Sequence, residues 1–451
     1  MTQNHASQII FSNLNQNLNT NILIDALTNL GNIQEFGNVD PIKKLLSHTS
    51  AQVRVLALKQ LAKIDFEDND KLFIDTFYTD EDTLVRREAI SSLGRQRYAK
   101  NKMFLLSVLE DSDPKIVCQA IRALFVFKGH DDVQKRLRLL VDHDNEMVRQ
   151  IINKEFFSND KKAKNTKQHC LVDDNLSNVV VLGDVLEILQ YVDREQVHLT
   201  FTSPPYYNAR DYSIYKSYDN YLDFLKIVFE QVHRITKEGR FLVVNTSPVI
   251  VPRMSRQHSS KRYPIPFDLH AIISKLGWEF VDDIVWEKPE YSVKNRVGGF
   301  EQHRKPLGYK PNTVTEYLMV YRKQTDKLLD WNIHQYTDDI VQKSKVVGEY
   351  ETTNVWKIHP KSDKVHSAIF PKELCQRVIE YYSYVGDLVF DPFAGSGTVG
   401  RVSKFLNRKF FLTEKERTYF NYMQKLMPEQ TLIENDSTKF LTLEEFAIAN
   451  K

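Results

Sequence analysis

Apolar residues recur along the first third of the chain with two nested periods. Val53, Val85, Ile116 and Val148 follow one another at steps of 32, 31 and 32 residues. Four positions after each stands Ala57, Ala89, Ala120 or Ile152, and eight after each stands Leu61, Leu93, Leu124 or Phe156. An i, i+4, i+8 stripe lies on one helix face, so each unit holds one helix with an apolar seam. Asp80-Glu81-Asp82, Asp111-Ser112-Asp113-Pro114 and Asp142-His143-Asp144-Asn145 precede three of the seams and supply acceptors for a helix start. The first unit has Ser47-His48-Thr49-Ser50 in that place, and a shorter apolar helix, for instance through Leu105, Val108 and Leu109, precedes each turn. Helix pairs of this length bury their faces only by stacking on one another, which predicts an α-solenoid.

From Asn178 the period changes. Val179–Leu182 and Val197–Thr202 are short β-rich runs, followed by a helix around Tyr221–Ile235 and a strand at Phe241–Val244. A helix at Phe267–Leu276 and strands at Phe280–Trp286 and Tyr317–Tyr321 come next, then Leu388–Asp391 and Lys409–Thr413. Strands interleaved with helices predict an α/β domain with a mostly parallel, Rossmann-like sheet, whose ligands gather at the carboxyl ends of the strands. Between the two regions, residues 159–175 have no apolar period, and Asn159–Lys167 is polar and lysine-rich, as an exposed linker would be.

Two strand ends carry candidate chemistry. Thr202-Ser203-Pro204-Pro205-Tyr206 ends one strand in a stiff loop, because two prolines donate no hydrogen bonds and hold their predecessors extended. A small hydroxyl, free carbonyls and an aromatic face suit a flat ring bearing an amino group; a plain strand terminator with Tyr206 packed beneath it is the other reading. Asp391-Pro392-Phe393-Ala394-Gly395-Ser396-Gly397-Thr398 ends another strand in a glycine turn, and Glu414 closes the strand after it. Gly395, Gly397 and Gly400 satisfy the dinucleotide pattern, with Glu414 suited to ribose hydroxyls. Asp391 at the strand tip, however, repels a pyrophosphate and attracts the ammonium or sulfonium of S-adenosylmethionine.

The two motifs together resemble those of the DNA amino-methyltransferases, in the permuted (β-class) order with the target-amine motif first. Gly183-Asp184, Trp286-Glu287-Lys288-Pro289 and His366–Pro371 resemble further family segments, although Ser367 and Ile369 depart from the usual residues. The resemblance runs from about residue 178 to 425. It implies S-adenosylmethionine enclosed by Phe370, Pro371, Asp391, Pro392, Phe393, Gly395, Gly397 and Thr398, with Glu414 at its ribose and Asp184 near its adenine. A strand-end aspartate such as Asp184 equally suits a helix cap. Ser203, Pro204, Pro205 and Tyr206 then form the catalytic loop, with no covalent nucleophile and no metal, and Ser203 favours the N4 amine of cytosine over the N6 amine of adenine. The first third resembles HEAT repeats over residues 36–158, with Val53-Arg54, Val85-Arg86 and Val148-Arg149 as markers and Val117 departing from them. That resemblance sets architecture only, and leaves open an arm that binds DNA or a protein partner such as a restriction subunit, or a structural cap.

The expected layout is an N-terminal segment 1–35, the repeats 36–158, the linker 159–175 and a methyltransferase domain 176–451. Net charge is only +2, from 61 basic and 59 acidic residues, so affinity for double-stranded DNA must come from local patches. Residues 251–263 carry Arg253, Arg256, Lys261 and Arg262 without an acid, and residues 291–312 carry Lys294, Arg296, Arg304, Lys305 and Lys310 against Glu301. Both lie where the family places target recognition, with His258, Gln302 or His303 to reach base edges and Arg210 after the Tyr206 loop beside the flipped base. Three scattered cysteines, no signal-peptide core in the first 20 residues and no apolar run near the roughly 18 residues of a membrane span predict a soluble, cytoplasmic protein. A nicotinamide enzyme, and a protein whose repeats do the work, remain the alternatives from other classes.

Overall fold

A computed structural model of the chain describes residues 6, 9–11, 19–30, 38–64, 66, 68–154, 169–207, 215–251, 255, 257, 260–360, 370–427 and 437–450. Met1–Lys162 and Ala163–Lys451 are two compact units. Among the described residues no helix is long and apolar enough to cross a membrane.

In the first unit the apolar seams lie on helices Ala51–Leu61, Thr83–Gln96, Pro114–Leu124 and Glu146–Ile152. Every described seam residue from Val53 to Ile152 is at most 1% exposed, while Phe156 falls outside the described residues. Asp82, Asp113 and Asn145 cap their helices by accepting from the backbone N–H groups of Leu84, Lys115 and Met147. Ser50 does not cap through its hydroxyl; His48 Nδ1 accepts from the Ser50 N–H instead, at 3.0 Å. The arginine after each seam valine staples turns together: Arg54 donates to the His48 carbonyl of its own unit and grips Asp80 of the next through Nε and Nη2 at 2.7 and 2.8 Å. Arg86 reaches Asp111 at 2.6 Å in the same way. Val117 cannot, so the ladder of arginines breaks at the third unit and that position is buried instead.

The second unit is built on a nine-stranded sheet. Its strands are β1 Val179–Leu182, β2 Val197–Thr202, β3 Thr236–Thr246, β6 Trp278–Glu287, β7 Thr315–Lys323, β8 Val355–Lys357, β9 Leu388–Asp391, β10 Lys409–Glu414 and β11 Lys439–Thr442; β4 Val249–Val251 and β5 Lys261–Tyr263 form a separate hairpin. The order is β11-β1-β10-β9-β2-β3-β7-β6-β8, with parallel pairing from β11 to β3 and β7 antiparallel to both β3 and β6. Alternate residues divide between two covers. Leu388 and Phe390 of β9 pack under helices Tyr218–Ile235 and Ile265–Ile273, while Val389 packs with helices Lys372–Tyr382 and Thr398–Phe405 on the other face. The result is a three-layer α/β/α sandwich, which requires strands apolar on both sides.

The amino end of the sheet is closed by ionic pairing. Asp387, just before β9, is fully buried, pairs with Arg240 of β3 and accepts from Tyr336 Oη at 2.5 Å. Lys237 Nζ donates to the His169 and Leu171 carbonyls at 2.8 and 2.5 Å, which pins the chain entering the unit to the same end. The opposite, carboxyl end is left for function.

Candidate active site

Three adjacent strands, β10, β9 and β2, end side by side in Glu414, Asp391 and Thr202. Thr202 Oγ1 donates to Asp391 Oδ1 at 2.7 Å, and the Phe393 N–H donates to the same oxygen at 3.1 Å. The two motifs, 189 residues apart in sequence, therefore meet through one hydrogen bond. Asp391 is 2% exposed, and among the described residues no cation pairs with it. Burial pushes its carboxyl up to about 7, against the two hydrogen bonds and with added repulsion from Glu414. Burial also raises Glu414, whose carboxylate accepts from the Gly395 and Glu416 N–H groups at 2.7 and 2.8 Å.

The glycine turn has a different physical basis from a bare cradle for a ligand. Gly395 and Gly397 adopt left-handed φ of 52° and 71°. A Cβ at Gly397 would sit 2.7 Å from Met423 Sδ, and one at Gly400 would sit 2.6 Å from Leu412 Cδ1. Those two glycines serve close helix packing, while the Gly395 N–H is engaged by Glu414. Thr398 is buried, its hydroxyl near Ser396 Oγ at 3.2 Å and accepting from Arg401 at 3.3 Å. Phe370 stacks on Phe201 of β2, with centroids 4.7 Å apart and planes at 18°, and Pro371 caps the helix behind it. Phe393 faces Phe224 at 6.1 Å. Asp184 caps the short helix Val185–Ile188 through the Leu186 N–H at 3.0 Å and meets Lys415 Nζ at 3.2 Å.

Ser203, Pro205 and Tyr206 are half-buried and Pro204 is buried. Tyr206 Oη donates to Glu316 Oε2 at 3.2 Å. Burial and the Glu316 charge raise the phenol strongly, outweighing its hydrogen bonds with Ser247 and Ser203. Glu316 also accepts from Asn245 Nδ2 at 2.7 Å and pairs with Lys288. None of Glu316, Asn245 and Lys288 has a role in the sequence-based site; only the strand-end position of Lys288 in the Trp286–Pro289 segment pointed there. Next to the loop, Tyr207 and Tyr218 pack on Tyr263 of β5, with centroids 4.8 and 4.6 Å away, joining the hairpin to the loop.

Topology brings both basic segments to this end of the sheet. The β4–β5 hairpin follows the carboxyl end of β3, and the segment between β6 and β7 starts and finishes there because β7 runs antiparallel to β3. Arg262 donates to Thr313 Oγ1 at 2.7 Å, so the two segments touch. Lys261 and Arg262 are exposed, and Lys261 lies over the Tyr263 ring. Lys294, Arg304, Lys305 and Lys310 are exposed and Arg296 half-buried, with none in an ion pair among the described residues. Arg210, Arg253, Arg256, His258 and the segment His366–Ile369 lie outside the described residues.

Comparison with known proteins agrees with that arrangement. Residues 197–425 match the family model described as DNA methylase, and residues 71–154 match HEAT repeats. The chain is 26% identical over 311 residues to the Type II beta methyltransferase M.BslI of Bacillus sp. (strain NEB-606), which covers 64% of this chain and 33% of that protein. It is 26% identical over 242 residues to the Type II methyltransferase M.MwoI of Methanothermobacter wolfeii, covering 51% of this chain and 31% of that protein. The chain thus spans about a third of the length of these two relatives. Among solved structures it is similar to a DNA modification methylase of Thermus thermophilus, TTHA0409, complexed with S-adenosyl-L-methionine, at 25% identity and a TM-score of 0.46 over 59% of this chain and 98% of that one.

Proposed function

Because the chain belongs to the N6/N4 DNA methylase family, we propose that it methylates the exocyclic N4 amine of cytosine in duplex DNA, with S-adenosylmethionine as donor. The observation that carries this reading is the Thr202–Asp391 hydrogen bond, which sets the Ser203–Tyr206 loop beside a buried, cation-free carboxylate. Two buried acids at neighbouring strand ends, Asp391 and Glu414, fit a donor that is cationic at one part and carries hydroxyls at another. When bound, S-adenosylmethionine supplies an electrophilic methyl group on a sulfonium. Asp391 would neutralise its positive charge and Glu414 would accept from its ribose hydroxyls. Phe370, Pro371, Pro392, Phe393 and Thr398 would wall the pocket, while Gly395 and Gly397 would shape its turn. Asp184, one strand away from Glu414, is our assignment for the adenine side.

An exocyclic amine is a poor nucleophile, since its lone pair is conjugated into the ring. Ser203 Oγ and the Pro204 carbonyl are acceptors for the amine's two N–H groups and would draw the nitrogen towards tetrahedral geometry as charge develops. The two prolines hold those acceptors in place beforehand, so little reorganisation accompanies the reaction. Tyr206 would stack on the base, offsetting part of the few kcal/mol needed to flip it out of the duplex. Lys261, Arg262, Lys294, Arg296, Arg304 and Lys305, with Arg210, Arg253 and Arg256, would neutralise phosphates around it.

We assign residues 176–451 to catalysis and residues 36–158 to a HEAT-like arm that engages DNA or a protein partner, within a cytoplasmic restriction–modification system. Incorporation of tritiated methyl groups into unmethylated duplex DNA tests the reading, with Ser203→Ala as control. Counts that depend on Ser203 support it; no incorporation, or transfer to RNA alone, contradicts it.

A further inference from the structure

One carboxylate ties the basic segment to the target-amine loop. Lys288, directly after β6, and Glu316, the second residue of β7, are the two feet of the 289–314 segment, and they form an ion pair in which both side chains are less than a fifth exposed. The other oxygen of Glu316 accepts from Tyr206 Oη at 3.2 Å and from Asn245 Nδ2 at 2.7 Å. Three donors from three separate parts of the unit thus converge on one acceptor-only group. Between the two feet stand Lys294, Arg296, Arg304, Lys305 and Lys310, cations in no ion pair among the described residues. A tyrosine ring turns freely about two side-chain torsions unless its hydroxyl is held, and a stacking platform works only when its plane is set in advance. The segment that meets phosphates and the ring that would meet the base therefore share a single anchor.

We propose that Glu316 is a positioning residue: it sets the plane of Tyr206 and, through Lys288, links seating of the basic segment on DNA to seating of the base. This rests on the reading of Tyr206 as the face that stacks on the target base. A glutamine at 316 cannot replace the carboxylate, because its amide must turn an NH2 towards at least one of the three donors.

The test compares wild type, Glu316→Gln, Tyr206→Phe and the double variant in single-turnover methyl transfer to duplex DNA, alongside Kd for DNA and the melting shift caused by S-adenosylmethionine. Each single variant should slow transfer at least about tenfold, a loss in the range that misalignment produces. Kd for DNA and the melting shift should stay near wild type, and the double variant should be no slower than the slower single one, because both substitutions break the same contact. Wild-type rates in Glu316→Gln, or losses that multiply in the double variant, would overturn the positioning role while leaving the methyltransferase reading intact. Should Glu316→Gln fail to fold, Tyr206→Phe decides alone, since it keeps the ring and removes only the hydroxyl; a wild-type rate there overturns the proposal. An inactive wild type would overturn the assigned function, and this role with it.

Discussion

Thr202 Oγ1 donates to Asp391 Oδ1 across 2.7 Å at the ends of two neighbouring parallel strands. The bond favours the ionised carboxylate, and burial opposes it more strongly. Thr202→Val should therefore raise the Asp391 pKa further and weaken S-adenosylmethionine binding at pH 7 about fivefold, the equivalent of about 1 kcal/mol for a lost hydrogen bond. Isothermal titration measures this directly. Equal affinities would show that Asp391 does not hold the donor's charge.

The pH dependence follows from the same carboxyl, raised to about 7 in the folded chain. An unfolded aspartate titrates near pH 3.9, so the folded state without ligand favours the protonated form over the window between these values. Stability gained from that protonation is complete at acid pH and is lost as pH rises through about 7. Cation binding requires the opposite form. Apparent Kd for S-adenosylmethionine should therefore worsen about tenfold for each pH unit below 7 and level off above it. Asp391→Asn should bind weakly with a flat profile from pH 6 to 8.

Removing two exposed cations changes DNA binding in a way that salt reveals. Arg304→Ala with Lys305→Ala should weaken binding and reduce the slope of log K against log salt by about 1.8, as two lost phosphate contacts would. An unchanged slope would take these residues out of the interface. Both side chains are exposed, so the fold should be unaffected.

Stability is concentrated at the other end of the sheet. Asp387→Asn would leave the Arg240 guanidinium, 2% exposed, without its counter-ion. Breaking one side of a buried pair costs about 3–5 kcal/mol, which lowers the melting temperature of this unit by on the order of 10 °C. A melting curve unchanged within 2–3 °C, roughly 1 kcal/mol, would mean the pair is worth little.

The legible parts of this molecule are those that local rules write. The Val53, Val85, Ile116 and Val148 seams read as helices because period and burial coincide within a dozen residues, and Asp391 reads as a strand end because a glycine turn follows it. Strand limits were less legible: β3 runs Thr236–Thr246 rather than Phe241–Val244, since Thr236 and Lys237 are buried through pairing and hydrogen bonds that composition does not record. β8 and β11, with three and four residues, carry too little pattern to read at all. Gly397 showed itself as a turn, yet its closest constraint is Met423, which arrives from a later helix. Glu316 was illegible for a related reason. Its partners Tyr206, Asn245 and Lys288 lie 110, 71 and 28 residues away, and one glutamate near a strand start has no periodic signature.

The central claim is the transfer of a methyl group to the N4 amine of cytosine. Nucleoside mass spectrometry of unmethylated, sequence-diverse duplex DNA, after incubation with the protein and S-adenosylmethionine, tests it most directly. The account predicts N4-methylcytosine, absent when Ser203 is replaced by alanine. N6-methyladenine in its place would contradict the reading of Ser203, and no methylated base at all would contradict the function.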